Sequence, residues 1–383
     1  MKKFQIAGGL FACMLLITAG CKKATKPDEV SILKSYAEVV YQSYKAAHAD
    51  AKKMQTAIDA LLAKPGDDTL AAARKSWLEA RESYGPTEAF RFYQGPIDAA
   101  PGSDLREGPE GLLNSWPLDE AYIDYVKGNP KAGIINSKQA ITRDALVSLN
   151  QKKDERDVST GFHAIEFLLW GQAPEGKGAG NRPATDYKAG NPVNERRRQY
   201  LKLVTTMAVE DLAYLESQWE PGKNYAARFT AEEPRIAIGK ILTSLATLSG
   251  FELASERIGD ALTSGDRKDQ QSCFSNNTNR DYVANVRGLL RVYSGTFETA
   301  NGPGVKDLIA FAAPDLSEKI TSELLAAEKA ASQIGPLDAI LSSPAGSKER
   351  ESMIALQKSL LSLSKLLEEA GAPLNTKVEV VRE

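Results

Sequence analysis

The chain has 383 residues, and 48 Lys and Arg stand against 50 Asp and Glu, giving a net charge of −2 with both histidines neutral. Balanced charge without a long basic run argues against nucleic-acid binding. Three unclustered cysteines exclude zinc-finger, iron–sulfur and thioredoxin-like sites. The length suits roughly two domains of ~150 residues.

In chain order, Met1-Lys2-Lys3 is a basic start, Phe4 to Ile17 is apolar, and Thr18-Ala19-Gly20-Cys21 follows. Small residues before a cysteine at the end of such a run match a bacterial lipoprotein signal, although Thr18 replaces the usual Leu, Val or Ile. The run is short for a membrane span. Residues 1–20 are therefore expected to be removed, with Cys21 lipidated and 21–29 a linker. Several acyl chains would anchor the protein in the cell envelope, facing the periplasm or the surface. Cys13 leaves with the signal, so only Cys273 remains, read as a small buried apolar residue with no disulfide partner.

From Val30 onward the pattern is helical. Leu33, Ala37, Val40, Tyr44, Ala47, Ala51, Met54, Ile58 and Leu61 recur at three- and four-residue steps. Asp28 is placed to cap this helix and Pro65-Gly66 to stop it. A second helix from about Asp68 carries Trp77, Arg81 and Tyr84, and Gly85-Pro86 should interrupt it. Residues 90–119 are irregular, and Pro117 suits the first turn of a short helix over 121–126. Helices are expected over 137–149 and 159–170, then a Gly- and Pro-rich loop over 171–192. Further helices follow over 194–219, 234–264, 279–299, 314–334 and 348–370. Alternating strand patterns are missing. The expected fold is all-α, two packed four-helix bundles divided as 30–190 and 191–383. The likeness of Trp77–Glu82 to Phe251–Arg257 hints at duplication. Arg196-Arg197-Arg198 reads as a solvated helix face.

Gly161-Phe162-His163-Ala164-Ile165-Glu166-Phe167-Leu168-Leu169-Trp170-Gly171 is apolar all round except for His163 and Glu166. Such a helix is buried. Positions three apart share a face, so both side chains can reach one object. They form either a core hydrogen bond, a pair of metal ligands or an acid/base pair. H-E-x-x-H is absent, and Phe167 stands where H-x-x-E-H needs histidine. The only other histidine, His48, sits on an ordinary helix surface. One imidazole with oxygen donors favours iron or a similar cation over a thiolate metal. Glu88, Arg91, Asp98 and Asp119 are possible neighbours, and Arg81, Glu88 and Arg91 could equally form a structural ion-pair network.

Trp77-x-x-Ala80-Arg81-x-x-Tyr84, Glu88-Ala89-Phe90-Arg91-Phe92 and Gly95-Pro96-Ile97-Asp98 resemble the imelysin family. So do Trp116-Pro117-Leu118-Asp119-Glu120, Gly161-x-His163-x-x-Glu166, Ala254-Ser255-Glu256-Arg257 and Ser272-Cys273-Phe274-Ser275-x-Asn277-Thr278. The resemblance spans about Val30 to Ala370. It implies two four-helix bundles with the G-x-H-x-x-E signature near their interface, and an exported bacterial protein associated with iron acquisition. The family is also classed with metallopeptidases. Gln271, Asn276 and Asn279 depart from ionisable residues common in relatives, which implies weaker metal binding or a cargo other than a bare ion. The leading expectation is a lipid-anchored protein that binds iron or an iron-containing solute beside uptake-system membrane proteins. The alternatives are a metal-dependent peptidase and a structural lipoprotein.

Overall fold

The computed structural model describes residues 25–174, 178–298 and 300–382. The expected signal segment and Cys21 lie outside them. Eight principal helices carry the fold: α1 (Glu29–Ala63), α2 (Asp67–Tyr84), α3 (Gly161–Trp170), α4 (Pro192–Gln218), α5 (Pro234–Ser264), α6 (Thr278–Ser294), α7 (Pro314–Gln333) and α8 (Lys348–Glu369). Their ends follow local chemistry. Asp28 accepts from the Ser31 amide at 3.1 Å, Asn191 caps α4 ahead of Pro192, and Glu233 caps α5 ahead of Pro234.

Helices α1, α2, α3 and α4 pack together as one bundle, and α5, α6, α7 and α8 as the other. The expected all-α architecture is therefore the observed one. α4 begins just after the division expected at 190, yet it packs on α1 and α3, so the first bundle draws on the chain to Gln218. α5 is long and apolar enough to span a membrane by composition, but 78% of its apolar window is buried, so here it is the core helix of the second bundle.

Gly85-Pro86 interrupts α2 as expected, and the chain continues as a 3₁₀ turn over Gly85–Phe90. Other local expectations changed. Pro117 lies before the short helix Glu120–Ile123, which Asp119 caps through the Ala121 amide. Only Arg143–Leu149 of the stretch 137–149 is helical. Upstream, Arg196 donates to the carbonyls of Ile134, Ile135 and Gln139, and Thr142 caps the helix where it starts. α6 ends at Gly295, whose φ is 70°, and a two-residue antiparallel pairing of Thr296–Phe297 with Ala300–Asn301 follows. The arginine triplet is not a solvated face. Arg197 pairs with buried Asp124, and Arg198 donates to the Leu62 carbonyl at the end of α1.

Residues Leu248–Gly259 of α5 form a π-helix. Its i→i+5 pattern brings residues five apart onto one face, which an α-helix of about 3.6 residues per turn does not. Arg257 thereby donates to Glu252 Oε1 at 3.1 and 2.6 Å. From the same place Arg257 reaches Glu88 of the first bundle at 2.6 Å and Asn285 at 2.7 Å. Arg81 of α2 does the converse: it donates to Asp281 of α6 at 2.9 and 3.1 Å and to Asn114 at 2.6 Å. Each bundle thus contributes an arginine to the other's carboxylate, with an asparagine beside each. This exchange matches the hint of duplication.

Removing one partner of a buried pair leaves an uncompensated charge. Arg257→Leu is therefore expected to lower unfolding free energy by about 3–5 kcal/mol. Arg280→Leu, which breaks the exposed pair with Glu82, should cost at most about 1 kcal/mol. Urea denaturation of both variants checks the contrast, and equal losses would refute a central role for Arg257.

Candidate functional site

α3 is held on all sides. Trp77 Nε1 donates to the Phe162 carbonyl at 2.9 Å, and Tyr84 stacks on the Phe162 ring at 4.8 Å. At the other end, Arg74 and Tyr187 donate to the Leu169 and Leu168 carbonyls, satisfying groups a helix terminus leaves open. Gly161 starts the helix at φ 84°, and a Cβ there would sit 2.5 Å from the Leu113 carbonyl oxygen. Only glycine meets both demands.

Every residue of α3 is buried. His163 Nδ1 lies 2.9 Å from Glu166 Oε2. Glu166 Oε1 accepts from both the backbone N–H and the hydroxyl of Ser275, each at 2.7 Å. Phe274 packs on Phe167, with ring centroids 5.2 Å apart. The 270–276 segment is thus pinned onto α3. Among the described residues His163 Nε2 is buried without a hydrogen-bond partner, and in the pinned segment so are both amide atoms of Gln270 and Gln271 and Oδ1 of Asn276. Unpaired buried polar atoms are costly. Several of them fall on these two segments. Burial and the nearby Arg81 charge hold the His163 imidazole well below its usual range, so it is neutral. Burial pushes the Glu166 carboxyl up to about 7 despite the Ser275 hydrogen bonds.

A buried network lies beside this pair. Ser272 Oγ donates to Asp281 Oδ2 at 2.5 Å, Asp281 holds Arg81, and Arg81 donates to Asn114. Asn114 donates to Glu88 at 3.2 Å, and Glu88 receives Arg91 at 2.8 Å and Arg257 at 2.6 Å. Burial alone would raise the Glu88 carboxyl, but Arg91 and Arg257 reverse this and hold it at about 2. Glu110, 3.3 Å from Arg91, is pushed up to about 7 by burial, with Glu88 and Glu252 adding to the effect.

A family model described as Imelysin, of peptidase class M75, matches residues 40–367. The chain belongs to the imelysin family. It is 24% identical over 352 residues to iron-regulated protein A of Synechococcus elongatus, covering 88% of this chain and 84% of that protein. A solved structure described as an iron-regulated protein A precursor, from Parabacteroides distasonis, superposes with a TM-score of 0.68 at 18% identity. It covers 92% of this chain and 97% of that one. An imelysin-like protein from Psychrobacter arcticum gives 0.62 at 15% identity, covering 93% and 99%. At these identities the two structures show a shared fold.

In this imelysin the residues singled out by sequence separate into three groups. His163 and Glu166 meet on α3. Glu88 and Arg91 belong to the network that joins the bundles. Asp98 lies apart, accepting from the Phe92 amide, and Asp119 is an exposed helix cap. Cys273 is buried, and burial raises its thiol well above the usual range. His48 pairs with Glu216 of α4 at 2.6 Å. Among the departures, Gln271 is buried, Asn276 has φ 60°, and Asn279 donates to the Ile334 carbonyl. Among the described residues no three His, Cys, Asp or Glu side chains gather to hold an ion. Ser275, Gln270, Asn114 and Asp281 were not legible as site residues. The signal was at hand for Ser275, inside the Ser-Cys-Phe-Ser motif.

Glu166 keeps its proton longer folded than unfolded. Its contribution to stability is present below about 4.5 and lost as pH rises through about 7. His163 acts in the opposite sense, contributing above 6.5 and losing that as pH falls. Glu166→Gln removes the first effect alone. Its stability relative to the wild type is expected to improve between about pH 5 and pH 8. Denaturation at both pH values tests this, and a constant difference would contradict it.

Proposed function

We propose that this imelysin is a lipid-anchored binding protein of the bacterial envelope that takes part in iron acquisition. The cargo is an iron ion or an iron-containing solute, met at the α3 site between the bundles. One observation carries the reading: a buried imidazole whose Nδ1 is engaged by Glu166 and whose Nε2 has no partner among the described residues. Glu166 accepting from Nδ1–H fixes the tautomer and leaves the Nε2 lone pair for the cargo. His163 is then the donor, and Glu166 the group that orients it. The remaining donors on the pinned segment are amides, which can coordinate a hard cation but add no charge. Such a site holds its cargo loosely, as a carrier handing on to uptake-system membrane proteins requires. The similarity to iron-regulated protein A supports the link to iron.

Hydrolytic chemistry fits less well. A metallopeptidase needs a carboxylate able to take a proton from water. Here Glu166 has Oε2 against His163 and Oε1 under two Ser275 donors.

Anaerobic calorimetry of the chain from Lys22 onward is expected to show saturable iron binding. His163→Ala should abolish it, and Glu166→Gln should weaken it about 10–100-fold. No heat with iron, zinc or manganese, or binding unchanged in His163→Ala, would refute the site. For the anchor, Cys21→Ser should move the protein from the membrane to the soluble fraction on cell fractionation. Retention in the membrane would argue against lipidation.

A further inference from the structure

A cleft of about 680 Å³ opens where the first turns of α5 meet the C-terminal segment and the Phe92–Gln94 loop. None of its lining residues belongs to α3 or to 270–276. Its size is that of a small-molecule site. The C-terminal segment is laid down deliberately along α5. The Glu379 and Val381 amides donate to the Thr243 and Thr247 hydroxyls at 2.9 and 3.3 Å. Val378 and Val380 turn to the core, while Lys377, Glu379 and Val381 face the cleft.

Two features suggest what the cleft takes. The first is apolar surface left in water. Ile236 is 54% exposed and Val381 42% exposed, both large apolar side chains lining the same cleft as Phe92. Phe92 and Gln94 stand at φ 71° and 58°, a conformation unfavourable for such residues. Asp98 holds the loop there by accepting from the Phe92 amide. The second is charge. Lys377 pairs with Glu379, and Lys240 with Glu232 at 2.6 Å. The Glu233 carboxylate caps the Ile236 amide. Arg235, exposed in the same cleft, has no carboxylate partner among the described residues.

We propose that this cleft binds an amphiphile with one anionic head group and an apolar tail, of the medium-chain carboxylate class. The head group lies on Arg235, where a guanidinium suits a carboxylate. The tail covers Ile236, Val381 and the Phe92 ring. This site is separate from the α3 site, and its occupancy does not depend on iron.

Every element described above lies within residues 25–382, so the chain from Lys22 onward serves for the test. Calorimetric titration compares decanoate with butyrate, which shares the head, and with decyltrimethylammonium, which shares the tail. Decanoate should bind one to one and at least about tenfold more tightly than either, because head and tail contribute together. Arg235→Gln should erase the preference for decanoate over the cationic amphiphile. Ile236→Asp should weaken decanoate by about tenfold or more. Both positions are exposed, so melting temperature and iron binding should not move. Decanoate binding no tighter than butyrate or the cationic amphiphile, or unchanged in both variants, would overturn the assignment.

Discussion

Two crossed arginine–carboxylate pairs hold the bundles of this imelysin together. Arg81 reaches Asp281 from the first bundle to the second, and Arg257 reaches Glu88 in return. All four side chains are buried. Taking such charges from water is expensive, and only matched geometry with further hydrogen bonds offsets it. Asn114, Asn285 and Ser272 supply those bonds. The same pairs set the register between the bundles, because a slide of either one would strand a charge. The π-helical stretch of α5 is part of this constraint, since it brings Glu252 and Arg257 onto one face.

The α3 site depends on that register. Ser272 is tied to Asp281 and Ser275 to Glu166, so one short segment is fixed at both ends by the network and by the signature helix. His163 sits where the fold has engaged one ring nitrogen and left the other open. Burial, with Arg81 nearby, favours the neutral imidazole, the form that donates a lone pair. Ion pairing between the bundles and the chemistry of the site are thus coupled through the same guanidinium.

Much of the architecture was legible in the apolar periodicity, because helix burial follows a local repeat. Helix starts at Pro192 and Pro234 lay within two residues of expectation, since Pro at the first turn and a polar cap are local signals. The stretch 137–142 stays outside the helix: Thr142 caps the helix that starts at Arg143, and Arg196, some sixty residues away in sequence, takes the Gln139 carbonyl. The arginine triplet was misread in the same way, its partners lying on distant segments. Arg81, Glu88 and Arg91 were recognisable as a possible ion network, but Arg257, Asp281 and Asn114 come from elsewhere in the chain.

The amino-acid sequence by itself determined the all-α class, the helix boundaries set by Pro, Gly and short polar caps, and the buried placement of His163 and Glu166. Each follows from neighbours within a few residues. Tertiary structure alone decided that α4 joins the first bundle, that Glu88 serves the bundle interface, and that Ser275 engages Glu166. It also left His163 Nε2 without a partner among the described residues. Those outcomes depend on which distant groups meet in a medium where an unpaired charge or amide is costly, and no local pattern encodes that meeting.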